Sequence, residues 1–232
     1  MAYIDFLNKR PPEFPPVNRA LKDPDGLLAV GGALNPEWLT EAYNRGIFPW
    51  FNSDEHEILW WCPSQRAIIY PGEMHVSGSL KKVLRKKLFS VSFDQSFDQV
   101  IDNCSIRNKK SEGTWVTDRM KTAYKQMHSI GIAHSVEVKL NEKLVGGLYG
   151  ISLGKMFFGE SMFSRVSNAS KIALYFLQER LVDLKFSLID CQIMNPHLQS
   201  LGAINIPREH FVDLVEKNSI ITTQKGNWTS LG

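Results

Sequence analysis

Residues 143–202 read KLVGGLYGISLGKMFFGESMFSRVSNASKIALYFLQERLVDLKFSLIDCQIMNPHLQSLG. The stretch opens with two apolar runs, Leu144–Ser152 and Lys155–Phe163, joined by Leu153-Gly154. Short apolar runs broken by glycine at a turn predict a β-hairpin. The second arm ends in Gly159-Glu160-Ser161. A carboxylate behind a run as apolar as Met156-Phe157-Phe158 needs a partner or a task, because burying it alone is costly.

Beyond the hairpin, Ser167 and Asn168 are N-cap residue types, and Ile172, Phe176, Leu177 and Leu181 follow at helical spacing. The spacing predicts a helix from about Asn168 to Leu184. Ser187–Ile193 then reads as a buried strand interrupted by polar residues. Strand alternation places Asp190 and Gln192 on one face and Cys191 on the other. A strand, helix, strand order favours a crossover that returns both strands to one sheet. Glu160, Asp190 and Gln192 are therefore expected to line one cleft.

The chain has 232 residues, enough for one good-sized domain or two small ones. No segment is apolar for long enough to span a bilayer, and Met1–Arg10 lacks the apolar core of a secretory signal, so a cytoplasmic location with no membrane partner is expected. Cys62, Cys104 and Cys191 are odd in number and widely spaced, which suits reduced thiols. No histidine pair stands at metal-ligand spacing, and no structural metal is expected.

The formal net charge is only +3, but its distribution is uneven. Residues 80–88 read LKKVLRKKL, with Lys81, Lys82, Arg85, Lys86 and Lys87 and no acid among them; Arg107, Lys109 and Lys110 follow as a second cluster. On a helix, Lys81 with Arg85 and Lys82 with Lys86 make a repulsive cationic face. The face reads either as solvated surface or as a patch for a phosphate backbone. Like charges gathered at a cost in helix stability tilt the reading towards a polyanion.

The first sixty or so residues differ in texture. Pro11, Pro12, Pro15 and Pro16 make an extended arm, Asp23-Pro24-Asp25-Gly26 a turn, and a helix is predicted over about Glu37–Asn44. The aromatics between Phe48 and Trp61 suggest a small domain, residues 1–62, packed on a larger one, residues 63–232. Most of these rings read as core, given the area each buries. Trp50 is kept as a platform for stacking a base.

From Arg66 onward strands and helices alternate. Ala67–Tyr70 and Leu88–Phe93 read as strands flanking the basic helix, Phe97–Cys104 as a helix, Gly113–Val116 as a turn-rich link. A helix capped by Thr117 or Asp118 runs to about Ile130, and the strand Ala133–Leu140 turns at Asn141-Glu142 into the hairpin. The class is α+β, a mixed sheet flanked by helices. The same order of elements resembles the acyltransferase fold of many N-acetyltransferases. Enzymes of that kind cradle coenzyme A pyrophosphate on a glycine-rich turn at a helix N-terminus, whereas residues 164–171 here, SRVSNASK, contain no glycine. A coenzyme A donor is disfavoured.

Two nucleophile chemistries are also disfavoured. Gly159-Glu160-Ser161-Met162-Phe163 approaches the G-x-S-x-G elbow but has Phe163 at its second glycine. Cys191, by alternation, turns away from Asp190 and Gln192 and reads as core.

Read together, these blocks resemble the bacterial leucyl/phenylalanyl-tRNA–protein transferase family. The resemblance rests on Gly26-Leu27-Leu28-Ala29 with Gly31-Gly32, Tyr43-x-Arg45-Gly46-Ile47-Phe48-Pro49-Trp50, Trp60-Trp61, Gly113-Thr114-Trp115 and Ala133–Glu137. It continues through Val145–Gly150, Gly159–Ser164, Ile189–Gln192 and Ser200–Ala203. Ala33 stands where many relatives carry an acid, and the tail after Pro207 is too variable to read.

The resemblance implies an aminoacyltransferase, EC 2.3.2.6, that moves Leu or Phe, less well Met, from aminoacyl-tRNA to the α-amino group of proteins beginning with Arg or Lys. The product is marked for degradation by the N-end rule. It implies a monomer, and no cofactor, since the aminoacyl ester is already activated. Asp190 and Gln192 would polarise or deprotonate the attacking amine, and Glu160 would bind the cationic acceptor residue or orient the donor amine. Leu148, Phe157 and Met162 would form the Leu/Phe pocket, and Trp50 and Trp115 would pack on the terminal adenosine. Lys81, Lys82, Arg85, Lys86 and Lys87 would hold the tRNA acceptor stem. Asp190→Ala is expected to lower turnover with folding intact. The alternatives are a coenzyme A-dependent N-acetyltransferase of the same fold and a non-catalytic tRNA- or peptide-binding module.

Overall fold

The computed structural model describes residues 3–106 and 116–230. Two sheets organise it. The smaller uses β1 (Asp5–Leu7), β2 (Leu27–Gly31), β3 (Phe48–Pro49) and β4 (Leu59–Trp61) in the order β1-β2-β4-β3, with α1 (Pro36–Tyr43) packed beside it. α1 starts where Asn35 Oδ1 accepts the Trp38 N–H at 3.0 Å and Pro36 occupies the first turn, where a missing N–H costs nothing. Trp38 and Trp60 stack at 6.0 Å, with Phe14 set edge-on to both. These rings are core. Trp50, 37 % exposed, stays at the surface.

The larger sheet holds seven strands. In chain order its elements are β5 (Gln65–Ile69), α2 (Gly78–Arg85), β6 (Phe89–Phe93), α3 (Phe97–Ser105), α4 (Asp118–Ser129) and β7 (Ala133–Leu140). There follow β8 (Lys143–Leu153), β9 (Met156–Ser164), α5 (Ala169–Asp183), β10 (Leu188–Asp190), α6 (Pro196–Ser200), β11 (Ile204–Pro207) and α7 (Arg208–Ser219). The strand order is β11-β5-β10-β9-β8-β7-β6, antiparallel throughout except for the parallel pair β9 and β10. This is a mixed α/β architecture. α3 and α4 cover one face with the aromatic core of the smaller sheet, and α5 covers the other. Gly146 admits the start of α5: a Cβ there would lie 2.4 Å from the Ala169 Cβ.

The β8–β9 hairpin and the β7–β8 turn at Asn141-Glu142 form as their sequences predict, and Thr117 caps α4. Three expectations need correction. α2 ends at Arg85, so Lys86 is its C-cap, and Lys87, at φ 49°, leaves the helix axis. Asn168 flanks α5 in a left-handed conformation without a side-chain cap bond. The strand expected over Ser187–Ile193 stops at Asp190, because the backbone turns left-handed at Gln192 (φ 58°). α6, β11 and α7 were not legible in the sequence. Among the described residues no helix is long and apolar enough to cross a membrane.

Candidate active site

β9 and β10 pair in register from Leu188–Met156 to Asp190–Phe158 and go no further. Beyond that point both strands depart from regular geometry. On β9 the pairing with β8 passes from Gly150–Gly159 directly to Tyr149–Ser161, so Glu160 is the extra residue of a bulge. A bulge bends its strand and re-aims a side chain. It forms here because Gly150 lets the strands close: a Cβ on Gly150 would sit 2.3 Å from the Phe158 carbonyl oxygen. On β10, the left-handed turn at Gln192 is held by its own N–H, which donates to Asp190 Oδ1 at 2.9 Å.

The re-aimed Glu160 is buried in a set of hydroxyls. Tyr43 on α1 donates to its Oε1 at 2.5 Å, Tyr124 on α4 to its Oε2 at 2.7 Å, and the two phenol oxygens lie 2.6 Å apart. Gln192 Nε2 donates to Oε1 at 3.1 Å. Burial pushes the Glu160 carboxyl up to about 7, against the lowering effect of the two tyrosine hydrogen bonds. Burial likewise raises Tyr43, Tyr124 and Tyr149 well above the ordinary phenol value.

Asp190 is fully buried and stands behind the pocket. Arg66 on β5 grips it with two bonds, Nε to Oδ1 at 2.7 Å and Nη2 to Oδ2 at 2.6 Å. Arg66 also donates to the Gly46 carbonyl at 3.1 Å, and its guanidinium lies between the rings of Phe48 and Phe211, at 4.6 and 4.5 Å. Burial opposes its charge and Asp190 more than restores it, so the Arg66 pKa is raised. The expectation that Asp190 and Gln192 share the cleft face is therefore corrected. The left-handed turn brings both Cys191 and Gln192 to the pocket wall and leaves Asp190 beneath them. Cys191 is half-buried rather than core, with its thiol raised by burial.

The pocket between the diverging strands encloses about 500 Å³. Leu148, Phe157, Met162, Leu174 and Leu177 give it apolar walls, Glu160 and Gln192 a polar edge, and Phe48, Pro49 and Trp50 its side towards the small sheet. Trp50 is braced edge-on by Trp61 at 5.4 Å, whose Nε1 donates to the Trp50 carbonyl at 2.9 Å. The structure thus brings Glu160, Gln192, Trp50, Leu148, Phe157 and Met162 to one place. Lys81, Lys82, Arg85, Lys86 and Lys87 are all exposed, away from the pocket wall. Among the described residues none of the five is paired with an acid. Trp115, with Arg107, Lys109 and Lys110, lies outside the described residues.

Sequence reasoning missed Tyr43, Tyr124 and Arg66. A charge count held one signal: Asp190 ends an apolar strand and requires a cation, and Arg66 precedes the equally apolar Ala67-Ile68-Ile69. The tyrosines carried none, since each sits at an ordinary core position of an amphipathic helix.

Fold and site together define a mixed α/β protein with an apolar pocket edged by a buried acid and an amide. Residues 68–216 match the model of the family described as leucyl/phenylalanyl-tRNA protein transferase, and residues 32–64 match that of its N-terminal domain. Relatives bearing the name leucyl/phenylalanyl-tRNA–protein transferase include one from Azoarcus sp. (strain BH72), 50 % identical over 97 % of this chain and 95 % of its own. Another, from Syntrophus aciditrophicus (strain SB), is 53 % identical over 94 % and 90 %, and one from Shewanella baltica (strain OS185) is 47 % identical over 99 % and 97 %. The chain belongs to the leucyl/phenylalanyl-tRNA protein transferase family.

Proposed function

We propose that this chain transfers Leu or Phe, and less well Met, from aminoacyl-tRNA to the α-amino group of proteins beginning with Arg or Lys, as a cytoplasmic monomer whose products are marked for degradation. The observation that carries this reading is the apolar pocket of Leu148, Phe157 and Met162 with Glu160 and Gln192 at its edge. The parallel β9–β10 pair, open beyond Asp190 with the pocket in the opening, supports an N-acetyltransferase-like acyltransferase domain over residues 63–232. Residues 1–62, contributing Phe48, Pro49 and Trp50, form its smaller companion.

In the reaction the acceptor amine, once deprotonated, attacks the ester carbonyl carbon. A C–N bond forms, the C–O bond to the terminal ribose breaks, and the ribose oxygen takes a proton. With an activated ester, holding amine and carbonyl together supplies much of the rate. The donor side chain fills the apolar pocket, and its α-ammonium, one bond from the carbon bearing that side chain, meets Glu160. The Gln192 side chain contacts the attacking amine. Asp190, already engaged by Arg66, fixes the turn that presents Gln192 and thereby acts as a positioning residue. Trp50 stacks on the terminal adenosine, with Trp115 as a second platform. The exposed cations of α2 and its C-terminal turn hold acceptor-stem phosphates.

The test is transfer of labelled leucine from Leu-tRNA to a protein starting with Arg, beside one starting with Ala, and beside labelled acetyl-coenzyme A as donor. Leucine on the Arg protein alone is expected. Acetyl transfer without leucine transfer would overturn the donor, and binding without any transfer would leave a binding module.

A further inference from the structure

Glu160, Tyr43 and Tyr124 close a ring of three side chains through four oxygens: Tyr43 to Oε1 at 2.5 Å, Tyr124 to Oε2 at 2.7 Å, and phenol to phenol at 2.6 Å. Each edge is of hydrogen-bond length and needs one proton. An ionised carboxylate leaves two phenolic protons for three edges. A protonated carboxyl supplies the third. It donates to one phenol, that phenol turns its own proton to the other, across a contact in which either can donate, and the second phenol donates to the remaining carboxyl oxygen, so that every edge holds one proton.

The surroundings agree. Facing Glu160 are Tyr43 from α1, Tyr124 from α4, Tyr149 from β8, and, farther off, Asp190 from β10 with its Arg66 from β5. Asp190 raises the Glu160 pKa and Arg66 lowers it, and each is already neutralised by the other. Among the described residues no cation forms an ion pair with Glu160. The free site therefore lacks the positive charge that a buried carboxylate needs. The charge that would complete it is the α-ammonium of the donor.

We propose that the Tyr43–Tyr124–Glu160 ring holds a proton in the free enzyme and gives it up to solvent when the aminoacyl donor binds, so that donor binding is coupled to proton release. This rests on the reading of the pocket as the aminoacyl site. The balance is simple: enzyme with Glu160 protonated plus donor ammonium gives Glu160 carboxylate paired with ammonium, and one proton leaves. Tyr43 and Tyr124 are positioning residues in this exchange, because their two hydroxyls stabilise the ionised carboxyl once it forms.

With the Glu160 carboxyl at about 7, release is nearly complete about one pH unit below that value, half complete at it and fades above it. The experiment is calorimetry of the full chain with leucyl-adenosine in which an amide replaces the labile ester, in buffers of different ionisation enthalpy, between pH 6 and pH 8.5. Release approaching one proton per ligand at pH 6, declining above pH 7, is expected. The same analogue without its α-amino group is expected to bind with no release. Glu160→Gln is expected to abolish release, and Tyr124→Phe, which removes one donor to the ionised form, to shift the decline to higher pH. Binding of the amino analogue without proton release, or release unchanged in Glu160→Gln or with the desamino analogue, overturns the proposal and leaves the aminoacyl site intact. Failure of wild type to bind the analogue at any pH overturns the site reading and the proposal together.

Discussion

At the scale of single residues, the site depends on two buried charges handled in opposite ways. Asp190 is neutralised by Arg66, and removing either partner strands the other in a place without water. Breaking such a pair costs about 3–5 kcal/mol. Arg66→Ala is therefore expected to lower stability by that order, measured by denaturant unfolding. Asp190→Ala is expected to do the same, against the simpler expectation from sequence of a folded but slow enzyme. Asp190→Asn is the better probe of chemistry, since its amide oxygen can still accept the Gln192 N–H. Glu160 has no such cation, and its pKa is raised, so its contribution to stability is fully present below the unfolded carboxyl value and is lost as pH rises through about 7. Comparison with Glu160→Gln isolates this: the stability of wild type relative to the variant is expected to fall by on the order of 3 kcal/mol between about pH 4.5 and pH 7.5. A difference that is flat with pH would mean that the Glu160 carboxyl titrates alike in the folded and unfolded chain, and one that rises with pH that the fold keeps it ionised. The identity of Glu160 as a residue needing explanation was legible from the apolar run before it. Its partners were not, because Tyr43 and Tyr124 lie 117 and 36 residues away and meet it only through tertiary packing.

At the scale of elements, what the sequence shows depends on whether local chemistry alone dictates the backbone. Asn141-Glu142 is a turn that its own residues explain. The second hairpin turns at Gly154-Lys155, one residue beyond the expected Leu153-Gly154, because Leu153 still pairs with Met156 and Gly154 takes the left-handed position at φ 55°. The bulge at Glu160 and the left-handed Gln192 are not of this kind. Gly150 on the neighbouring strand and Asp190 beneath the turn impose them, so strand alternation misplaced Asp190 and Cys191. The β7–β8 turn carries a smaller conflict. Both central residues are left-handed, Asn141 at φ 50° and Glu142 at φ 59°, and a turn of this type prefers glycine in the second position. Glu142→Gly is expected to raise stability by roughly 0.5–1 kcal/mol in thermal unfolding, the relief of left-handed strain outweighing the entropy lost. α2 shows the reverse economy. It keeps Lys81, Lys82 and Arg85 exposed on one short helix, with Lys86 and Lys87 in the turn that follows, all without acidic partners among the described residues. Reversing Lys81, Lys82 and Arg85 to Glu is expected to weaken Leu-tRNA as donor and flatten its salt dependence, while leucyl-adenosine is used as before. Equal loss with both donors would place these cations outside tRNA binding.

Across the whole molecule, segments far apart in the chain build the pocket and the core behind it. Residues before β5 supply Phe48, Pro49 and Trp50, and the segment after α7 returns across the sheet to bury Trp228, which is 1 % exposed. Asp94 anchors it, accepting the Trp228 N–H at 2.7 Å and the His134 ring nitrogen Nδ1 at 2.8 Å, while the indole stacks on His134 at 4.0 Å. The indole also approaches Phe157, at 5.9 Å between ring centres, and Phe157 is a wall of the apolar pocket. None of this was readable from the tail, whose sequence has no strong periodicity; a lone tryptophan does not announce which core it completes. Trp228→Ala removes a large ring from a filled core and is expected to cost about 3–5 kcal/mol. The substitution would remove a ring that Phe157 packs against, which leaves Phe157 free to shift. A second consequence follows at the substrate: the KM for Leu-tRNA should rise at temperatures where the variant remains folded, with the KM for the acceptor protein little changed. Trp228→Phe, which keeps most of the ring volume, should recover most of both losses. A destabilised variant with an unaltered donor KM would show that the tail supports the sheet without shaping the pocket.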